Sequence, residues 1–201
     1  EKISVPGGPE GMAITNNKLY AALNYKDSVA VIDLNSNAVN YIETPAVTSF
    51  FVKDKNENLY VSLVSTFSDY SENTGLGYIN TTSDQLEETY QLNGVSTSYV
   101  NILSANSDFS KIYVMTSAYD ANWNLSGAVS VFDVASKSFE TSNFVEGVSG
   151  LNGIAFYKNK LFTFVAESVT SNGKTVVYNS DGSKDTEFET GIAPFMLLSV
   201  K

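Results

Sequence analysis

Apolar residues in this chain fall in short alternating runs, each closed by a polar turn, as in Leu19-Tyr20-Ala21-Ala22-Leu23 and Leu59-Tyr60-Val61-Ser62-Leu63. No stretch carries an apolar stripe at the 3.6-residue period of a helix, so the pattern predicts β-strands throughout. The runs recur in a fixed order. Four segments place Lys or Asn, an aliphatic residue and an aromatic together: Lys18-Leu19-Tyr20, Asn58-Leu59-Tyr60, Lys111-Ile112-Tyr113 and Lys160-Leu161-Phe162. A second anchor follows each one, ending in Asp33, Asn80, Asp133 or Asn179. Another apolar run precedes each first anchor, and after each second anchor come a turn and an alternating run. Turn chemistry such as Asn16-Asn17, Asn35-Ser36-Asn37 and Asp181-Gly182 separates them.

The unit is therefore four strands long, and its period of roughly forty to fifty residues is that of propeller blades. The expected fold is all-β, a β-propeller of four-stranded antiparallel blades, at approximately 7–44, 46–93, 97–146 and 150–191. A sandwich of short strands would also alternate, but it would not need four copies of one internal order. The ends read as two orphan strands. Residues 2–5 suggest the outer strand of a preceding blade, and 193–200 an inner strand. The chain is then the C-terminal part of a larger ring, or it closes as a small ring with a two-stranded joint. An open crescent would expose apolar blade faces beyond the ~300–600 Å² usual for a largest patch, so another chain completing the ring is an expected partner.

The pattern over residues 7–34, Gly-Gly-Pro-Glu-Gly-Met-Ala-Ile, then Lys-Leu-Tyr, then Ser-Val-Ala-Val-Ile-Asp-Leu, resembles a blade of the YncE-like, surface-layer-type propellers. The closing stretch, Ser171-Asn172-Gly173-Lys174 through Val177 to Gly182 and then Phe188 to Pro194, is similar to the last blade of a related group. That group comprises exported propellers of Gram-negative anaerobes, often lipid-anchored, some of which capture vitamin B12. The resemblance covers nearly the whole chain and rests on positions that set packing and turns, so it transfers no ligand-binding residue. The middle blades depart most, with Asn80 in place of Asp and longer insertions. It implies export to the periplasm or cell surface, with lipid anchoring through a segment not present here.

Composition narrows the partners. Hydrophobic residues make up 43% of the 201 and charged residues 17%, a globular balance, with a formal net charge of −10. Such an acidic surface disfavours nucleic acid and anionic lipid. No apolar run approaches the ~20 residues of a transmembrane helix. With no cysteine and no histidine, disulfides, thiolate zinc sites and cysteine nucleophiles are excluded, and so is the commonest general base. No phosphate loop, nucleophile elbow or full calcium loop is present, and no cofactor is expected.

With strands a to d running from axis to rim, the b–c and d–a connections share one end of each blade. The c–d turns at the other end are compact and polar. The b–c connections vary: about five residues near Asn24, a dozen from Ser65 to Leu76, eleven from Ser117 to Gly127. Long loops on a rigid frame are where binding concentrates. The expected ligand-binding residues are Tyr25, Phe67, Asp69, Tyr70, Tyr119, Asp120, Trp123, Asn124 and Asn172, with Asn152 at a d–a turn equivalent to that of Glu10. Aromatic rings beside amides and carboxylates suit a sugar or another polar ring; alternatively, the aromatics serve to pin the loops down. The expected function is non-enzymatic capture of a glycan or a cofactor-like molecule such as a corrinoid. The alternatives are a scaffold docking a transporter or other surface protein, and a carboxylate-based hydrolase or lyase.

Overall fold

The structure, a computed structural model, describes residues 2–67, 70–96, 100–119, 125–166, 168 and 170–198, without the side chains of Tyr119 and Leu125. Every regular element among them is a β-strand. The chain divides into two compact units, Glu1–Tyr99 and Val100–Lys201. In the first, blade 1 consists of β1 (Pro9–Thr15), β2 (Lys18–Leu23), β3 (Ser28–Asp33) and β4 (Val39–Glu43), paired in that order. Blade 2 repeats the arrangement with β5 (Val47–Lys53), β6 (Leu59–Val64), β7 (Gly75–Asn80) and β8 (Gln85–Gln91). In the second unit, blade 3 holds β9 (Leu103–Ala105), β10 (Lys111–Tyr119) and β11 (Leu125–Asp133). Its edge is shared by β12 (Ser138–Phe139) and β13 (Val145–Ser149). Blade 4 is β14 (Leu151–Tyr157), β15 (Lys160–Val165), β16 (Asn172–Asn179) and β17 (Lys184–Ile192).

The sequence anchors have distinct physical tasks. The aromatic near the start of the second strand packs the core in blades 1 to 3, where Tyr20, Tyr60 and Tyr113 are buried; Phe162 of blade 4 is half-buried. In the first unit Tyr20, Ala22, Val29 and Val31 of blade 1 form one cluster with Leu59, Val61, Leu63 and Ile79 of blade 2. The Tyr20 hydroxyl donates to Asp84 Oδ1 (2.5 Å), whose other oxygen meets Lys18 Nζ (2.6 Å). In the second unit the Tyr113 ring stacks on Phe156 (5.0 Å) and meets the edge of Phe144 (5.3 Å).

In blades 1 to 3 the Asp or Asn that closes the third strand folds the turn behind it; in blade 4 Asp181 takes that task. Asp33 accepts from the Asn35 and Ser36 amides, and Asp133 from the Ser136 amide and hydroxyl. Asn80 accepts from the Thr82 and Ser83 amides through its side-chain oxygen. An amide oxygen serves this Asx turn as a carboxylate does, which is why Asn80 can stand in the Asp position.

The inner strands share one irregularity. Pairing jumps from Pro9↔Leu23 to Met12↔Ala21 in blade 1, from Thr48↔Leu63 to Phe51↔Val61 in blade 2, and from Leu151↔Val165 to Ile154↔Thr163 in blade 4. Each jump inserts one extra residue into strand a, a β-bulge that re-aims the side chains around it. By register, Glu10, Ser49 and Asn152 occupy the same bulge position. A methyl group at Gly11, the next residue, would run into the Ser49 carbonyl and Phe50 of the following blade. At Gly153 it would run into the Phe195 carbonyl.

Three expectations are corrected. The stretch Ser117 to Gly127 is not a long loop. Strands β10 and β11 stay in register up to Tyr119↔Leu125, because alternating residues continue the ladder and only 120–124 connect it. The outer strand of blade 3 is not the single alternating run expected after each second anchor; it breaks after Phe139 and resumes at Val145, with Glu140 N and Phe144 N still bonded to β11 between them. Finally, residues 2–5 and 193–198 form no strand. Phe195 bears on Gly153 as Ser49 and Phe50 bear on Gly11. What 193–198 lacks is a ladder neighbour, and strands are defined by ladders.

Candidate functional site

The loop-bearing end of the first unit is built on the connection from β6 to β7. Ser65 N donates to Val95 O (3.0 Å), tying the loop base to the chain that leaves blade 2. Ser71 N donates to Ser65 Oγ (3.2 Å) and Asn73 N to Ser71 Oγ (3.1 Å). Leu92 N donates to Thr74 O (2.9 Å), and Thr74 Oγ1 returns a bond to Leu92 O (2.7 Å). Gln91 Nε2 reaches Glu72 O at 3.3 Å. Polar groups therefore hold this loop, and its aromatic rings do not. Phe67 is fully exposed and Tyr70 is 79% exposed. Of the two tasks open to these aromatics, pinning the loop is not theirs.

On blade 1 the short connection presents Tyr25, 61% exposed. Tyr25 N donates to Gly7 O (2.8 Å) and Asn24 N to Gly8 O (3.0 Å). The Tyr25 ring lies on Gly8, where a Cβ would collide with it and where φ is +67°. Gly8 thus gives the ring a flat backbone seat. Beside it the Lys26 ammonium sits over the Tyr41 ring, 4.3 Å from its centre.

Glu10 and Asn152, at bulge positions, fasten blade 1 to blade 2 and blade 4 to the segment that follows it. Ser49 Oγ donates to Glu10 Oε2 (2.6 Å) across blades 1 and 2. One residue earlier, Thr48 Oγ1 receives Leu23 N (2.8 Å) and donates to Ser28 O (3.0 Å), all buried. In the second unit Asn101 Nδ2 donates to Ile154 O (3.2 Å), and Asn152 Nδ2 to Pro194 O (3.0 Å). Asn152, expected at the site, thus spends a donor on a backbone carbonyl. Pro194 also covers Gly173, the neighbour of Asn172. Neither Ser49 as the partner of Glu10 nor the bonds of Thr48 and Asn101 to neighbouring backbone were anticipated. Counting ten residues back from Tyr20 and Phe162 aligns Glu10 with Asn152, but blade 2 needs eleven from Tyr60 to Ser49, so the count alone does not find the bulge.

Asn172 lines a cavity of about 170 Å³ with Val165, Gly173, Lys174 and Glu189. A second cavity, about 250 Å³, lies on blade 2 between Leu63, Asn73, Thr74, Tyr90 and Gln91. Asp69, Asp120, Trp123 and Asn124 lie outside the described residues. Tyr119 is placed at the end of β10, paired with Leu125, by its backbone alone.

Shifted acidities occur in the c–d turns and the core, and at Tyr90 of the blade 2 cavity, whose phenol is pushed up by burial and by its bond to Glu88. Turn hydrogen bonds from the Ser36, Ser136 and Ser183 groups lower Asp33, Asp133 and Asp181 below the usual carboxylate range. Burial, reinforced by nearby acidic groups, pushes the Tyr60 and Tyr113 phenols up to about 12. Among the described residues no three acidic side chains gather as a metal site would require, and no helix is long and apolar enough to cross a membrane.

No protein-family profile matches the chain, and no curated protein matches it either. Solved structures do. Hydrazine synthase from Kuenenia stuttgartiensis superimposes with a TM-score of 0.71 at 14% identity, over 95% of this chain and 52% of that one. A quinoprotein alcohol dehydrogenase-like protein from Bacteroides thetaiotaomicron gives 0.65 at 18%, over 90% and 46%. The fold is that of a β-propeller. The extracellular domain of a one-component system from B. thetaiotaomicron shares it at 0.62 and 13%, over 94% of this chain and 23% of that one. At such identities the likeness is one of fold alone. The propeller chain described here spans about half the length of the first two structures it matches.

Proposed function

We propose that this propeller is a non-catalytic binding protein that captures a hydroxyl-rich ring ligand, a saccharide in the first instance, on the loop-bearing end of its blades. The observation that carries the reading is the pair Phe67 and Tyr70: exposed rings on a loop already held by hydrogen bonds. An aromatic kept in water at that cost to the hydrophobic effect is available to stack on the C–H face of a sugar, and neighbouring amides take its hydroxyls. A corrinoid presents a larger ring edged with amides and belongs in the same test. The extracellular setting of one structural neighbour supports a place outside the cytoplasm, in keeping with the YncE-like resemblance of blade 1.

Calorimetric titration against a glycan panel and a corrinoid tests this. Phe67→Ala with Tyr70→Ala should weaken binding at least tenfold while leaving urea stability within about 0.5 kcal/mol, because exposed substitutions seldom move it further. A wild-type protein that binds nothing on the panel, or a double variant that binds unchanged, would overturn the reading.

A further inference from the structure

The cavities on blades 2 and 4 occupy equivalent positions in their blades, though Pro45, Thr89 and Tyr90 line only the first. Register makes the correspondence. Leu63 pairs with Gly75 and Gly75 with Gln91 in blade 2; Val165 pairs with Lys174 and Lys174 with Glu189 in blade 4. Leu63 therefore corresponds to Val165, Asn73 to Asn172, Thr74 to Gly173 and Gln91 to Glu189. In both blades a buried aliphatic residue at the end of strand b forms the floor. An exposed asparagine just before or at the start of strand c stands on one side, and a glutamine or glutamate near the end of strand d on the other.

Blades 1 and 3 close the same position. In blade 1 it belongs to Lys26, because Thr44 N bonds Asp27 O as Leu92 N bonds Thr74 O. Lys26 folds its ammonium over Tyr41, the register equivalent of Thr89. In blade 3 the ladder simply continues, with Ser126 paired to Ser149 on β13. Among the described residues, an open notch with an asparagine rim thus occurs on blade 2 and on blade 4.

We infer that these notches are two equivalent subsites, each taking a single sugar ring. Volumes of about 250 and 170 Å³ fall below the ~300–1,000 Å³ of sites for drug-sized ligands. They hold many waters' worth of space, at ~30 Å³ per water. The asparagine amide offers both a donor and an acceptor to vicinal hydroxyls, and Gln91 or Glu189 accepts from the far side. The inference rests on the saccharide reading and adds a place and a stoichiometry to it.

The test is a nitrogen-15 NMR titration of the full chain with glucose, galactose, mannose and N-acetylglucosamine. It follows the Asn73 and Asn172 side-chain amides alongside the Phe67 and Tyr70 backbone amides. The expected result is that one of these sugars moves both asparagine amides, and that Asn73→Leu abolishes only the first response and Asn172→Leu only the second. Movement at Phe67 and Tyr70 alone would overturn the subsites and leave the function standing. Movement at the two asparagines alone would keep the subsites and move the function away from the exposed rings. Silence at all four overturns both.

Discussion

Thr48 shows how much of this molecule depends on single polar atoms. Its hydroxyl receives one buried amide and donates to one buried carbonyl of the preceding blade, so Thr48→Val keeps the shape and strands both. An unsatisfied buried group costs about 1–3 kcal/mol, and the variant should lose about 2 kcal/mol in urea denaturation. A loss under about 0.5 kcal/mol would mean that water replaces the hydroxyl. Residue identities alone did not reveal this role. Thr48 sits in the apolar run of an inner strand and reads as a β-branched filler, and only the bulge beside it brings the hydroxyl to Leu23 and Ser28. Phe67 and Tyr70, by contrast, were legible as site candidates. What the sequence could not say was whether their rings pin the loop or face solvent, because the loop is held by Ser65, Ser71 and Thr74.

At the scale of strands and turns, the repeat was readable because each anchor carries one physical duty. An aromatic fills the space between sheets, and an Asx residue ends strand c. The errors lie where periodicity is ambiguous. Ser117 to Tyr119 alternate as a strand does yet lie among loop-forming residues, and the ladder to Leu125–Gly127 decided the matter. The inner bulge was invisible, since an extra residue in one strand looks like a shifted turn. Its steric demand can be checked at Gly11. Gly11→Ala pushes a methyl group onto the Ser49 carbonyl and Phe50, an overpacking cost of about 1–3 kcal/mol. Hydrogen exchange should show the loosening at β1 and β5 and spare the Asp33 turn.

For the whole chain, the pH range of stability is set by which acids are shifted and in which direction. The lowered carboxyls of Asp33, Asp133 and Asp181 stabilise the folded chain above their unfolded pKa near ~3.9, and this is lost as pH falls through their lower folded values. The raised phenols of Tyr60 and Tyr113 act oppositely. Their contribution is complete below the unfolded value of ~10 and is lost as pH rises toward about 12. The thermal midpoint should therefore be flat from roughly pH 5 to 9 and fall on both sides. Ultraviolet titration should show a late-ionising class of tyrosines that vanishes on unfolding. A single phenol transition near pH ~10 in the folded protein would contradict the burial described for the two rings.

The hydrogen-bonded loop between β6 and β7 has a consequence in time. A ligand meeting Phe67 and Tyr70 on a backbone already fastened at Ser71, Asn73 and Thr74 need not wait for the loop to reorganise. Association should then proceed in one phase whose rate grows linearly with ligand concentration, without the plateau that marks a slow rearrangement. Differences in affinity between ligands would appear almost wholly as differences in how long each one stays.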